Sequence, residues 1–503
     1  MSRKSYRPYA PRQSMMFPPS PLDWLPEGHL AYFVLDLCDE LDLSEIDRAI
    51  QSKDPRGNRP YPPAMMVSLL VYTWCIGLRS SRAIHQATWT DVAVRVVAGD
   101  NHPHFTTLAE FRRTHADALA NLFEQVLAIA DKAGMIKLDH VAIDGTKIQA
   151  NASKHKAMSY GRMQATSERL REEVRRILEE AEEADRREDA EHGANNDGTS
   201  LPEELRRRKS RIARIKEAMA ELEAEAAAGR AQTLREQAER AEAVAKDPEV
   251  PESQRKAAVT RARTRRQQAE QLAPEDADDD GEPAHSFETA EGLPLHRPPT
   301  DPDGTPKAKA QRNFSDPDSR IMESRGTFIQ GYNCQAAVDD GHQIIVACAL
   351  SNQSPDAGNL VPMVALTKGN CGKAPKTVTA DTGYWAADVE ARCRELGSNA
   401  LVATGRKRRS EPDPLIQDPD DLPDDASNKE RMTAKMSQPA SRAIYRRRKH
   451  TVEPVFGQTK ETRRLRRFHR RGLPAVAAEW KLDCACHNIL KLYRAGWSPK
   501  AGA

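Results

Sequence analysis

The sequence predicts an α/β protein with a mixed sheet, an antiparallel hairpin joined to parallel strands, flanked by helices. An all-α region precedes the sheet, and a helical, coiled-coil-like insertion interrupts it. Three observations predict this. Short β-branched runs bounded by turn residues lie near 138–148, 331–350, 376–381 and 400–404, the later ones alternating with helical patterns. Apolar residues at helical spacing fill most of 20–135. Between Asn151 and Ala273 the chain is dominated by Glu, Arg, Lys and Ala.

Composition allows several domains and a sizeable core in 503 residues. The 76 Lys+Arg nearly cancel the 74 Asp+Glu, so the distribution of charge is what informs. From Arg442 to Arg471 twelve Lys/Arg face two Glu, whereas six of the eight residues from Glu275 to Glu282 are acidic. The eight cysteines are scattered, which fits reduced thiols of a cytoplasmic protein better than a disulfide scaffold. Cys484-Ala-Cys486-His487 lacks the spacing of a zinc knuckle and reads as buried thiols on a helix. The basic N-terminus runs into Pro-rich sequence and does not read as a signal peptide. The apolar run 65–78 is too short to span a bilayer, so no membrane partner is expected.

The elements follow in order. Leu30–Leu41 is helical by spacing, and Pro62-Pro63 starts a core helix over 65–78. Thr106-Thr-Leu-Ala-Glu110 matches a capping box, which puts Arg112 and Arg113 near the start of a helix that could read DNA. A packing or dimerisation role is the competing reading. In the insertion, Met163, Ser167, Leu170, Val174 and Ile177 continue, after a break at Gly193–Pro202, as Ile212, Ile215, Met219 and Leu222. This short seam predicts antiparallel helical hairpins or a short coiled coil. An acidic, Pro-rich linker runs to about 325, and Asp339-Asp-Gly341 between two apolar runs predicts a hairpin. Helices near 359–366 and 386–396, strands near 376–381 and 400–404, and a Pro/Asp-rich loop over 410–440 complete the pattern.

Asp144 ends the first strand, in Ile143-Asp-Gly-Thr-Lys147, and Asp381 ends a later one, in Ala380-Asp-Thr-Gly-Tyr384. Glu453 follows within the cationic segment Tyr445-Arg-Arg-Arg-Lys-His-Thr-Val-Glu453. A lone strand-end Asp is usually a turn residue or a cap. Three acids in this order, the last among cations, fit hard divalent ions beside a phosphodiester. Two such ions activate an attacking oxygen and stabilise the departing one, and the cations suit phosphate contacts.

These blocks resemble those of DDE-type transposases of bacterial insertion sequences. The Tyr445–Lys460 segment is similar to that family's Tyr-Arg-Glu-Lys signature. Residues 15–115, with Arg59-Pro-Tyr-Pro-Pro63, resemble the family's N-terminal domain, and Asn313–Arg320 and Gly331-Tyr-Asn333 add to the likeness. The resemblance implies a ribonuclease-H-like catalytic domain over 136–152 and 326–495. It also implies a helical DNA-binding domain over 21–135, an insertion and linker over 153–325, and tails at 1–20 and 496–503.

Two Mg²⁺ or Mn²⁺ ions would be held by Asp144, Asp381 and Glu453. Double-stranded DNA, both element termini and target, would meet Tyr445, Arg448, Lys449, Lys460, Arg112 and Arg113, with a homodimer holding the ends. A metal-dependent nuclease that does not join, or a non-catalytic DNA-binding descendant, are the alternatives. Arg448 and Glu453 are separated by four residues where the signature leaves three. On a continuous helix Lys449, one turn before Glu453, shares its face better than Arg448 does. Pro454 points instead to Glu453 lying at the start of a helix.

Overall fold

The computed structural model of the chain describes residues 23–52, 59–192, 203–273, 286–405, 416 and 418–499. The expected N-terminal tail, and part of the expected 410–440 loop, lie outside these residues. The chain divides into two compact units, one of 1–133, 461–464 and 482–503, the other of 134–460 and 465–481.

The first unit is helical: α1 (Leu30–Asp39), α2 (Ser44–Gln51), α3 (Pro63–Cys75), α4 (Ser81–Thr90), α5 (Val92–Val97), α6 (Phe105–Thr114) and α7 (Ala116–Lys132). Pro63 opens α3, where a missing N–H is harmless. Every residue of α3 from Met66 to Cys75 is buried, so this apolar helix is the unit's core. Arg79 and Arg463 both pair with the buried carboxylate of Asp483, Arg463 at 2.8 Å.

The structure corrects the reading of α6. Its N-cap is His104, whose ring accepts from the Thr106 N–H, and Arg112 and Arg113 fall in the last turn. Their charges there suit the negative end of the helix dipole. Arg112 is buried, stacks 5.0 Å from the Trp74 ring centroid, and donates to the Arg79 carbonyl. It is a buried packing residue of the helical unit. Arg113 is exposed but held by Glu110 at 2.9 Å.

The second unit is built on a mixed sheet. Its elements are β1 (His140–Gln149), β2 (Ala157–Ser159), α8 (Tyr160–His192), α9 (Glu203–Lys246), α10 (Glu252–Leu272), β3 (Gln311–Asn313), β4 (Arg320–Ser324), β5 (Thr327–Asp339) and β6 (Ile345–Ser351). There follow α11 (Leu360–Cys371), β7 (Thr377–Ala380), α12 (Val389–Glu395), β8 (Asn399–Val402), α13 (Asn428–Ser437) and α14 (Pro439–Gly457). Helix α15 (Leu473–Arg494) has its first residues in this unit and its remainder in the helical one.

β1 lies at the centre of the sheet. One edge pairs antiparallel with β5, from Val141 opposite Asp339 to Gln149 opposite Gly331. The far edge of β5 carries β4 along its first part and β6 along its second. The other edge of β1 pairs in parallel with β7, and β7 in parallel with β8. The Asp-Gly hairpin forms as expected, and the Asp339 carboxylate pins it by accepting from the Leu138 and Gly341 amides. β6 is buried along its whole length, so the core lies on both faces of the hairpin.

The insertion is three helices, α8 against α9 and α9 against α10. Met163 and Leu170 of α8 pack on Ile215 and Ala218 of α9, the seam that the spacing predicted. Small residues, Ala238 and Ala241 against Ala262, let α9 and α10 approach closely.

Several elements went unread in the sequence, among them β2, inside the stretch read as helical. β3 and β4 lie inside the stretch taken as linker, and α13 inside the stretch taken as loop. The signal for α13 was present: Ser427 and Glu430 form a capping box, each side chain on the other's backbone N–H.

Candidate active site

The parallel register of β1 and β7 builds the site. Ala142 lies opposite Thr379, so Asp144 and Asp381, each two residues further on, sit at the same level and on the same face. Asp381 follows the end of β7, but Asp144 lies within β1, which runs on to Gln149 instead of ending there as the sequence suggested. Asp381 is fixed by its own turn, its Oδ1 accepting from the Gly383 amide at 2.8 Å. Asp144 accepts from Gly145 N at 2.8 Å and, through Oδ2, from Arg448 Nη1 at 3.0 Å. Burial first, and then the charges of Asp381 and Asp356, push the Asp144 carboxyl up to about 6, although Arg448 opposes the rise. Burial works against the Arg448 charge as well. Asp144, Tyr445 and Asp381 outweigh it and hold the guanidinium above its ordinary value.

A third aspartate, absent from the sequence reading, stands beside these two. Asp356, in the loop after β6, accepts from Lys147 at 3.0 Å, Asn333 at 2.8 Å and Gln335 at 2.9 Å. Gln335 in turn accepts from the hydroxyl of Tyr384, three residues past Asp381. Tyr384 is buried and its hydroxyl is held well above its usual range by that burial, then by Asp356, Asp144 and Asp381. Side-chain bonds thus tie β1, β5, the loop after β6 and the turn after β7 into one piece. Gly145 makes this possible, because a Cβ there would meet Gln335 and lie 2.7 Å from Asp356 Oδ1. The signal that could have found Asp356 was slight: one Asp in Ser354-Pro-Asp356-Ala-Gly358, readable from sequence only as a turn.

Helix α14 supplies the rest, and it corrects two expectations. Pro454 does not start a helix, since α14 runs through it and places Glu453 near its C-terminal end. The proline has no N–H for the carbonyl of His450, and Gln343 Nε2 donates to that carbonyl instead at 2.7 Å. Arg448, expected to be rotated off the working face, is the residue that reaches Asp144. Lys449 and Glu453, one turn apart, are both exposed. Tyr445 is half-buried, its ring 5.9 Å below the Arg448 guanidinium, and Lys460 Nζ donates to the Lys147 carbonyl at 3.1 Å.

Asp144 and Asp381 fit a hard divalent cation by donor type and by the repulsion that a cation would relieve. Among the described residues, however, no three His, Cys, Asp or Glu side chains are placed to hold one metal ion, and Glu453 lies on the exposed face of α14.

Comparison with known families gives two matches. A family model described as a transposase DDE domain matches residues 423–493, spanning α13, α14 and α15 and including Arg448 and Glu453 but neither Asp144 nor Asp381. A second, described as a transposase domain, matches residues 20–114. No curated protein and no solved structure matches the chain. Over those two stretches, one near each end, the chain is similar to transposases, in keeping with the resemblance of its sequence blocks to the DDE type of insertion sequences.

Proposed function

We propose that the chain binds the terminal inverted repeats of an insertion sequence and catalyses metal-dependent DNA cleavage and strand transfer. The observation that carries this is the side-by-side placement of Asp144 within β1 and Asp381 just past the adjacent parallel strand, with Arg448 on Asp144 from inside the segment matched to a transposase DDE domain. The strand order, an antiparallel hairpin joined through β1 to two parallel strands, supports a ribonuclease-H-like catalytic domain.

In this reading Asp144, Asp381 and Glu453 hold Mg²⁺ or Mn²⁺, two ions in all. The metal would activate the attacking oxygen and stabilise the departing one. Arg448 keeps Asp144 oriented and balances part of its charge before a cation arrives. Exposed Lys449, half-buried Tyr445 and Lys460 then serve as phosphate contacts, with Arg113 a contact of the helical unit. A homodimer would hold the two DNA ends. No described helix is long and apolar enough to cross a membrane, and a cytoplasmic location is part of the proposal.

The exposure of Glu453 favours one second reading, a DNA-binding descendant that no longer cuts. A strand-transfer assay on paired element ends, with and without Mg²⁺, separates the readings. Joined products identify a transposase, cut but unjoined ends a nuclease, and bound but intact ends a binding protein.

A further inference from the structure

Outside the carboxylate site, the second unit contains a strongly basic concavity where the insertion leaves the sheet. It has a volume of about 660 Å³ and lies between the β2–β3 ribbon and the starts of α8 and α9. Lys156, Arg162, Arg207, Arg211 and Arg214 line it, over a floor that includes Phe314. Among the described residues no carboxylate lines it.

Several arginines elsewhere in the insertion are paired with carboxylates. Arg208 pairs with Glu173 at 3.2 Å, Arg312 with Glu225 at 3.0 Å, and Arg266 with Glu242 at 2.9 Å. Lys156, Arg162, Arg211 and Arg214 are exposed and make no ion pair with a described residue. A run of like charges around one hollow is self-repelling unless an anion fills it.

We infer that this groove is a binding site for the DNA sugar-phosphate backbone, on duplex flanking the point of cleavage. The inference rests on the reading of the chain as a DNA-acting transposase. The groove begins just past the end of β1, and five residues of extended strand from Asp144 to Gln149 span about 17 Å. At 3.4 Å per step that is about five base pairs, so the contacts belong to DNA beyond the cut rather than to the reacting phosphate. Guanidinium groups grip phosphate oxygens in bidentate fashion without reading bases, so the groove adds affinity and register but no sequence preference.

The test uses the full chain and a labelled random-sequence duplex, with binding measured by anisotropy over a salt series without divalent metal. The triple variant Arg162→Gln, Arg211→Gln, Arg214→Gln should bind at least tenfold more weakly and lower the slope of log affinity against log salt by about three. A control triple, Arg261→Gln, Arg263→Gln, Arg266→Gln on α10, carries the same charge change and should keep the wild-type slope.

Equal losses in both triples would reduce the groove to net charge and overturn the inference. So would an unchanged slope in the groove triple, or displacement of duplex from the wild type by poly-glutamate as readily as by unlabelled duplex. If the groove triple melts early, the three single variants should each lower the slope by about one, and unchanged slopes in all three would also overturn it. Failure here stays separate from failure of the enzymatic reading. A wild type that binds with the full slope yet never cleaves removes the enzyme and leaves the groove. A cleaving enzyme with an unaltered groove triple does the reverse.

Discussion

Asp144 and Arg448 form a pair in which each partner answers for the other. The carboxyl is raised by burial and by two neighbouring aspartates, and one guanidinium at 3.0 Å offsets this in part. Removing Arg448 leaves a largely buried carboxylate without its counter-charge. Arg448→Ala should lower single-turnover cleavage by about 10²-fold, in the range of losing one preorganised electrostatic group, and lower stability by about 1–3 kcal/mol. Lys449→Ala, on an exposed side chain, should cost less cleavage and almost no stability. Parallel cleavage and denaturation series check the order, and a larger loss for Lys449→Ala would contradict it.

The raised Asp144 carboxyl has a second consequence. Its folded value of about 6 lies above the unfolded value near 3.8, so ionising it works against the fold. The penalty is absent below about pH 4, grows as pH rises to about 6, and is constant above, at about 2–3 kcal/mol. The stability of Asp144→Asn relative to wild type should therefore increase between pH 4 and 6 and then level off. A relative stability that is flat or falling across that window in metal-free melts would contradict the assignment.

At the scale of elements, α14 depends on a side chain from another part of the chain. Pro454 deprives His450 of its helical partner, and Gln343 fills the vacancy. Gln343→Leu should cost about 1 kcal/mol in the wild type and nearly nothing when Pro454→Ala restores the helical N–H. A double-mutant cycle measures the coupling, and a value near zero would mean that the bond does not support the helix.

This element also marks where sequence reading stopped. The strand leading to Asp381, the existence of β1, the Asp-Gly hairpin and the Met163–Leu170 seam were legible, because local periodicity and turn chemistry determine them, whereas the run of β1 past Asp144 to Gln149 was not. The continuation of α14 through Pro454 was not, because the compensating donor is 107 residues away in sequence. Asp356 was hidden for the same reason. Its three donors come from β1 and β5, and only the register of those strands brings them together. Arg112 and Arg113 misled because a capping box was read where His104 takes the cap.

At the scale of the molecule, the helical unit is completed by the far end of the chain. Asp483 on α15 receives both Arg79 and Arg463, and the thiol of Cys75 contacts the carbonyl of Cys486. Deleting residues 482–503 would leave two buried arginines without their carboxylate and expose the face of α3. The truncated protein should lose protection of α3 amides in hydrogen exchange. Retained protection would show that the unit folds without α15. The transposase matches at 20–114 and 423–493 are thus not separable modules, since the second ends inside the helix that completes the unit containing the first.

The account stands on Asp144 and Asp381 acting together on DNA with a divalent ion. Single-turnover cleavage of element-end duplex in Mg²⁺ and Mn²⁺ by Asp144→Asn, Asp381→Asn and Glu453→Gln, with DNA binding recorded on the same samples, tests this most directly. The account predicts binding within a few-fold of wild type for all three and cleavage abolished in each. Near-normal cleavage by either aspartate variant would contradict the central claim, and near-normal cleavage by Glu453→Gln would remove the third carboxylate from the proposed site.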